Sequence, residues 1–214
     1  MRHLLAYLLA MDRRFFLGAG LGVAMASLPF PAAAQQRIGL NALSNYLNAI
    51  QTARGDFTQV NADGTISTGT VFIHRPGRVR FEYDPPNESL VMAGGGQVAI
   101  FDGKSNTGPD QFPLSRTPLN LILARRVDLA RSGMVVRHES DGATTSVTAQ
   151  DPDRPEIGTI TLVFTADPIE LRQWVIRDEA GQETTVILGR LETGVSLGSR
   201  MFNIVQEAQA RGGR

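Results

Sequence analysis

Cysteine is absent from the 214-residue chain, which excludes a disulfide framework, a thiolate metal site and a cysteine nucleophile. A protein without these supports depends on a packed core, which a domain of this size can supply. The chain also has no excess of charge of either sign, because 21 basic side chains balance 21 acidic ones. A neutral chain gives a nucleic-acid partner no electrostatic support. The composition therefore predicts a globular protein that does not bind nucleic acid.

Motifs for catalysis and metal binding are also missing. The chain contains no H-E-x-x-H, G-x-S-x-G or G-x-x-x-x-G-K-[ST] sequence. His74 and His138 have neither ligand spacing nor a neighbouring nucleophile motif, and we expect both to be solvated. Asp151 and Asp153 lack the spacing of a calcium loop. We predict no catalytic residue, no metal and no cofactor. An enzyme stays an alternative only through carboxylates from distant segments that meet in the fold.

What the chain does have is an N-terminal segment with the three parts of an export signal. Arg13 and Arg14 stand before a short apolar run, and Ala32 and Ala34 form an A-x-A cleavage site. The apolar run is too short and too rich in glycine to remain as a membrane-spanning helix. We therefore predict that residues 1–34 are removed and that the mature protein works outside the cytoplasm.

The export route has two interpretations. The paired arginines are followed by Phe-Phe-Leu, which resembles a twin-arginine signal, a type that exports proteins already folded. The alternative is an ordinary Sec signal that carries two arginines. Met11 lies directly before the motif, so a start at Met1 or at Met11 gives the same mature chain.

The mature chain begins with a predicted helix. Leu40, Leu43, Leu47 and Ile50 recur at spacings of three and four, which is one apolar stripe on a helix that packs on a core. Gly55 is interpreted as the end of this helix. A second, short helix is predicted after residue 116, with a threonine as N-cap and a proline as its first residue.

Strands account for most of the remaining chain. Segments rich in β-branched and aromatic residues predict strands at 70–74, 79–83, 90–93, 97–101, 146–149, 159–164, 171–176, 182–188 and 201–205. Turn residues separate them at 75–78, 94–96 and 178–181. This order predicts an α+β fold with one continuous antiparallel sheet, as a single domain over residues 35–205. The polar tail at 206–214 is expected to be frayed.

An ordered set of short motifs resembles the periplasmic outer-membrane lipoprotein carrier family, LolA. The motifs are Gly55–Gln59, Gly69–Tyr83, Pro85-Pro86, Thr117–Leu119 and Asp178–Gln182. The resemblance covers residues 36–205 and is most specific from Gly69 to Pro86, where a strand, a turn and a second strand stand in register. Two features depart from the family: Gly94–Gly96 replaces a common Asp-Gly, and the signal looks twin-arginine.

The resemblance implies both a fold and a function. The implied fold is an incomplete, strongly curved antiparallel β-barrel, with helices that cover its open face and enclose a hydrophobic cavity. Members take lipoproteins from an inner-membrane, lipoprotein-releasing ATP-driven transporter and carry them through the periplasm to an outer-membrane acceptor. We therefore expect a monomeric periplasmic carrier of the acyl chains of outer-membrane lipoproteins. The alternatives are a lipid- or lipoprotein-sensing module on the same half-barrel and, less favoured, a glycan or lipid hydrolase.

The same resemblance assigns roles to residues. Alternation places Arg75 on the strand face of Val71 and Ile73, at the rim of an apolar surface. In the family this arginine latches the lid helices through their backbone carbonyls; the alternative is that Arg75 only caps its turn. The predicted cargo-binding residues are Val71, Ile73, Val79, Phe81, Tyr83 and Val91. The predicted lid residues are Leu43, Leu47, Leu119, Ile122 and Leu123. Parity alone leaves core packing and pocket lining as equal alternatives for the strand residues.

Overall fold

The computed structural model describes residues 37–104, 108–131 and 133–212, and the predicted export signal lies outside them. Three α-helices occur in these ranges: α1 (Leu40–Ala49), α2 (Leu119–Leu123) and α3 (Ile204–Gly212). The same ranges contain twelve strands: β1 (Thr52–Val60), β2 (Ile66–His74), β3 (Arg78–Tyr83), β4 (Leu90–Gly94), β5 (Gln97–Phe101), β6 (Asp110–Pro113), β7 (Val135–Ser140), β8 (Thr145–Gln150), β9 (Thr159–Thr165), β10 (Glu170–Arg177), β11 (Glu183–Leu188) and β12 (Glu192–Thr193).

All twelve strands belong to one antiparallel sheet. Its order is β6-β5-β4-β3-β2-β1-β11-β10-β9-β8-β7, and β12 pairs separately with β1. Most neighbours follow one another in the chain, but β1 joins the two halves by pairing with β11, where Phe57 lies opposite Leu188. The sheet ends at β6 and β7 without closing on itself. The predicted α+β fold, an incomplete and strongly curved antiparallel barrel, is confirmed.

One face of the sheet holds the main core. Burial alternates along β2, where Val71 and Ile73 are buried and their neighbours are less so, as expected for a strand with one apolar face. The helices α1 and α2 cover this concave face. Leu43 and Leu123 are fully buried in the same cluster as the strand residues. The predicted strands in the segments 70–101 and 146–188 are confirmed.

The end of α1 corrects one interpretation from sequence. The helix ends at Ala49, and Gly55 lies inside β1 instead of stopping the helix. A side chain at Gly55 would come within 2.9 Å of the Arg190 carbonyl oxygen and 2.8 Å of Leu191. The glycine is therefore needed where the segment after β11 crosses β1, and not for a helix cap.

The start of α2 also differs from the prediction. Thr117 does not cap the helix, because its hydroxyl donates to the Leu114 carbonyl at 2.9 Å and closes the preceding 3-10 turn. Pro118 takes the N-cap position in a helical conformation, and the helix begins at Leu119. A helix of five residues gains little stability by itself, so α2 depends on the burial of its apolar face.

The C-terminal segment is helical where the sequence predicted a last strand and a frayed tail. A 3-10 turn at Ser199–Phe202 leads into α3, which extends to Gly212. Ile204 packs on the convex face of β4 and β5, together with Met92 and Phe101. Leu90–Ala93 is apolar without alternation, and such a run is buried on both faces. The strand prediction at 201–205 is wrong. The segment enters α3 because Ile204 packs on the apolar convex face of β4 and β5.

Candidate functional site

An apolar cavity of about 580 Å³ lies between the concave face of the sheet and the start of α2. Its apolar wall consists of Phe81, Tyr83, Val91, Val98, Ile100, Phe112, Pro118, Leu119, Ile157, Trp174, Ile176 and Val186. The volume lies within the range of about 300–1,000 Å³ that is typical of small-molecule sites. The lining is that of a site for an apolar ligand.

Aromatic rings give the cavity a defined wall. Phe57 packs edge-on against Phe81 and Tyr83, with ring centroids 5.3 and 5.2 Å apart, and Phe81 packs edge-on against Trp174 at 6.2 Å. Edge-on pairs add favourable energy beyond the burial of their area. The rings come from β1, β3 and β10, so their packing fixes the two halves of the sheet around the cavity.

The cavity lining also includes polar side chains. The Tyr83 hydroxyl donates to Gln59 Oε1 at 2.8 Å. Arg116, in the 3-10 turn before α2, lies 3.6 Å from the Glu179 carboxylate in the β10–β11 turn, and both side chains are exposed. An exposed pair contributes at most about 1 kcal/mol. The ion pair therefore links the two sides of the cavity mouth without locking them together.

Tyr83, in the cavity wall, should make the free energy of unfolding depend on pH. Burial raises the pKa of Tyr83 to about 12, above the ordinary value of about 10. The unfolded chain therefore loses the phenol proton before the folded one does, and stability present below pH 10 is lost as the pH rises to 12. We expect the free energy of unfolding to fall by about 2–3 kcal/mol over this interval through Tyr83. Denaturant titrations should show a smaller fall for Tyr83→Phe, and an equal fall in both proteins would contradict this account.

Arg75 lies beneath the C-terminal ends of α1 and α2 and is only 6% exposed. Its Nε and Nη2 donate to the Ala124 carbonyl at 3.2 and 2.6 Å. Its Nη1 donates to the carbonyls of Leu47 and of Ile50, the latter at 3.4 Å. Nη2 also donates to Asn48 Oδ1 at 3.1 Å. One side chain thus contacts the end of α1 and the end of α2.

The β2–β3 turn has a different capping residue. Arg78 Nε donates to the His74 carbonyl at 3.2 Å across the turn. Burial lowers the pKa of Arg75 from its ordinary value, but a guanidinium keeps its proton in proteins. A permanent cation therefore lies beneath α1 and α2, and its side-chain hydrogen bonds go to the C-terminal ends of these helices.

The structure separates the predicted cargo-binding residues into two groups. Phe81, Tyr83 and Val91 line the cavity. Val71, Ile73 and Val79 are instead buried in the core beside the β2–β3 turn. The predicted lid residues Leu43, Leu47, Leu119, Ile122 and Leu123 all pack in that core, and Leu119 also reaches the cavity. Alternation identifies the face on which a residue lies but not its depth along a curved strand.

Several wall residues were not selected from the sequence. They are Val98, Ile100, Phe112, Ile157, Trp174, Ile176 and Val186. Trp174 carries a signal that could have identified it, because it is the only tryptophan in the chain and lies in a predicted strand. Val98, Ile100 and Phe112 lie on β5 and β6, which follow β4 in the same half of the sheet. Ile157, Ile176 and Val186 come from the other half, whose approach to β3 and β4 depends on the distant β1–β11 pairing.

The histidines differ from the expectation that both are solvated. His74 is half-buried, its ring lies 5.7 Å from that of Phe202, and its Nδ1 has no hydrogen-bond partner in the part of the chain that the structure describes. Burial, then the charge of Arg78, lowers the pKa of His74. His138 Nε2 lies 2.9 Å from the Ile38 carbonyl oxygen. Within the described ranges, no three acidic or histidine side chains are grouped to hold a metal ion, and no helix is long and apolar enough to span a membrane.

Comparison with known proteins gives a consistent family match. The family model described as "Outer membrane lipoprotein carrier protein LolA" matches residues 48–205. The outer-membrane lipoprotein carrier protein of Pseudomonas paraeruginosa is 25% identical over 199 residues, which cover 89% of this chain and 92% of the relative. The protein of the same name from Leptothrix cholodnii is 27% identical over 186 residues, covering 83% and 86%. The crystal structure of a LolA superfamily protein from Nitrosomonas europaea aligns with 78% of this chain and 98% of its own, with 11% identity and a TM-score of 0.43. The family match includes Arg75 and the cavity wall.

Proposed function

The chain belongs to the LolA family of outer-membrane lipoprotein carriers, and we propose that it carries lipoproteins by enclosing their acyl chains in the cavity between the sheet and α2. The observation that carries this proposal is the apolar cavity beside a helical lid that one buried arginine holds. Phe81, Trp174 and Leu119 would contact the acyl chains. Arg75 would be the latch of the lid.

Loading requires the lid to move. An acyl chain gains about 0.8 kcal/mol for each CH₂ removed from water, so three chains bind tightly wherever they fit. A cavity of about 580 Å³ has the size of a site for one drug-sized molecule. Several acyl chains therefore need α1 and α2 to move outward, and the outward movement breaks the hydrogen bonds of Arg75. This cost offsets part of the gain from acyl burial and keeps binding reversible.

Release of the cargo re-forms the hydrogen bonds that loading breaks. When cargo leaves, Arg75 regains its bonds to the Ala124 and Ile50 carbonyls, so closure favours the empty protein. We place the carrier in the periplasm, between an ATP-driven inner-membrane transporter and an outer-membrane acceptor. The predicted export signal and the names of the relatives support this direction.

The deciding experiment identifies the bound material. The mature protein is purified from the periplasm, and its ligands are analysed by mass spectrometry. Triacylated lipoproteins are the expected ligands. A free sterol or a glycolipid would favour the lipid-sensing alternative, and an empty cavity in protein from cells that export lipoproteins would contradict the carrier proposal.

Trp174 provides an intrinsic reporter of loading. It is the only tryptophan in the chain and lies in the cavity wall, where it is 1% exposed, so movement of the lid and contact with acyl chains should shift its emission. Titration with a tripalmitoylated lipopeptide should give a saturable shift. Trp174→Phe should abolish the signal but retain most binding in a co-sedimentation assay. Saturable co-sedimentation of the wild-type protein without any spectral change would place the acyl chains elsewhere.

A further inference from the structure

Every acceptor that Arg75 uses is electrically neutral. Three are backbone carbonyls, of Leu47, Ile50 and Ala124, and the fourth is the side-chain amide oxygen of Asn48. None of the ion pairs found among the described residues involves Arg75. The guanidinium makes each of these hydrogen bonds stronger than a bond between two neutral groups, but a neutral acceptor adds none of the Coulomb attraction between two unit charges. A latch without a carboxylate can therefore be opened at a lower cost than a buried ion pair.

Asn48 is the centre of this arrangement. Its Oδ1 accepts from Arg75 Nη2 at 3.1 Å and from the Val127 backbone N–H at 2.9 Å. Its Nδ2 donates to the Val127 carbonyl at 2.8 Å. The side chain thus makes two bonds to one backbone position beyond α2 and presents the same oxygen to the latch.

A second bridge lies one turn earlier on the same face of α1. Ser44 Oγ accepts from the Leu129 backbone N–H at 3.0 Å and donates to the Leu40 carbonyl at 2.8 Å. Ser44 and Asn48 are four residues apart, so both face the segment after α2. These bonds tie α1 to residues 127–129, while Arg75 holds the ends of both helices to the sheet.

We propose that Asn48 is a positioning residue that joins α1 to the segment after α2, so that both move as one lid, and that gives Arg75 a neutral acceptor. The proposal rests on the carrier function, because this lid must open to admit the acyl chains. Breaking one contact region, at Arg75, then releases the whole cover. A carboxylate at this position would hold the guanidinium too firmly, and an apolar residue would let α1 separate from the segment after α2.

Two substitutions at Asn48 should act in opposite directions. Asn48→Asp keeps the shape, replaces the bond to the Val127 carbonyl with a contact between two oxygens, and converts the bond to Arg75 into an ion pair, so the loading rate of a tripalmitoylated lipopeptide should fall about tenfold or more. Asn48→Ala removes the bridge, so loading should be about three- to tenfold faster. Trp174 fluorescence measures the rates in stopped flow. Loss of general packing would shift both variants in the same direction, and that result would overturn the proposal.

Hydrogen exchange tests the coupling without any cargo. In the wild-type protein the Val127 amide and the amides of α1 should open with the same free energy. Asn48→Ala should speed exchange at Val127 about tenfold relative to α1. Asn45 is exposed on the same helix, so Asn45→Asp and Asn45→Ala are the matched controls and should leave exchange and loading unchanged.

Unlinked exchange of Val127 and α1 in the wild-type protein would overturn the coupling, whichever ligand the cavity takes. If the lipopeptide does not bind but the exchange pattern holds, the carrier function fails and the coupled lid stands. The two proposals are therefore tested separately.

Discussion

Arg75→Leu should give a folded protein that accepts lipopeptide but releases it to acceptor membranes about thirtyfold more slowly than the wild-type protein. The substitution removes the hydrogen bonds that Arg75 makes to Leu47, Ile50 and Ala124 in the closed lid. Net losses of about 2 kcal/mol are expected for a set of bonds from a charged donor, which corresponds to about thirtyfold in the lid equilibrium.

The direction of this effect follows from the two states of the lid. Apparent affinity depends on the fraction of protein already in the binding-competent state. Loss of the latch destabilises the closed, empty state but leaves the apolar wall of the open state intact. The rate of loading should therefore be preserved or enhanced, and the rate of release should be lowered.

The measurement separates loading from release. Lipopeptide-loaded protein is mixed with acceptor vesicles, and the loss of bound lipopeptide is followed in time. Arg125 is exposed and directly follows the latch acceptor Ala124, so Arg125→Leu is the matched control and should release normally. Release of Arg75→Leu at the wild-type rate would refute the latch, and failure to load would indicate that Arg75 stabilises the cavity itself.

Val91→Glu should abolish lipopeptide binding and leave the protein folded. Val91 is only partly buried and faces the cavity, so a carboxylate there can remain hydrated while the cavity is empty. Acyl chains would have to remove that water, and desolvation of an ion costs several kcal/mol. A loss of at least about 2.7 kcal/mol, or a hundredfold in affinity, is expected.

The same substitution elsewhere provides the control. Val136 is 53% exposed on the edge strand β7, and Val136→Glu should affect neither stability nor binding. Phe81→Glu should behave differently from both, because Phe81 is 6% exposed and packs against Phe57 and Trp174. Losing a buried aromatic ring costs about 3–5 kcal/mol, so this variant should unfold. Undiminished binding by folded Val91→Glu would show that acyl chains avoid this wall.

The contrast between Phe81 and Val91 answers a question that strand parity left open. Both residues lie on the same face and oppose each other across β3 and β4. Phe81 contributes to the core and to the cavity wall at once, whereas Val91 mainly lines the cavity. Core positions and cavity-wall positions both carry apolar residues and follow the same alternation, so only the depth of packing distinguishes them.

The sequence was least informative where contacts are distant. The strand β1 was not predicted, because it begins Thr-Ala-Arg-Gly-Asp, a segment of low strand propensity. It nevertheless occupies the centre of the sheet, where β2, β11 and β12 all pair with it. The helix α3 was missed for a similar reason, since its polar sequence is held by the convex face of β4 and β5. Tertiary pairing overrides a weak local preference in both cases.

The sequence by itself determined the lack of cysteine, the hairpin strands, the presence of α1 and α2, and the place of Arg75 at the end of an apolar strand face. These features depend on neighbouring residues, through side-chain periodicity and turn geometry. Only the tertiary structure decided which apolar residues line the cavity, which carbonyls receive the bonds of Arg75, and that Asn48 joins α1 to the segment after α2. The physical reason is that these contacts join segments far apart in the chain, and their distances are set by the curvature of the sheet.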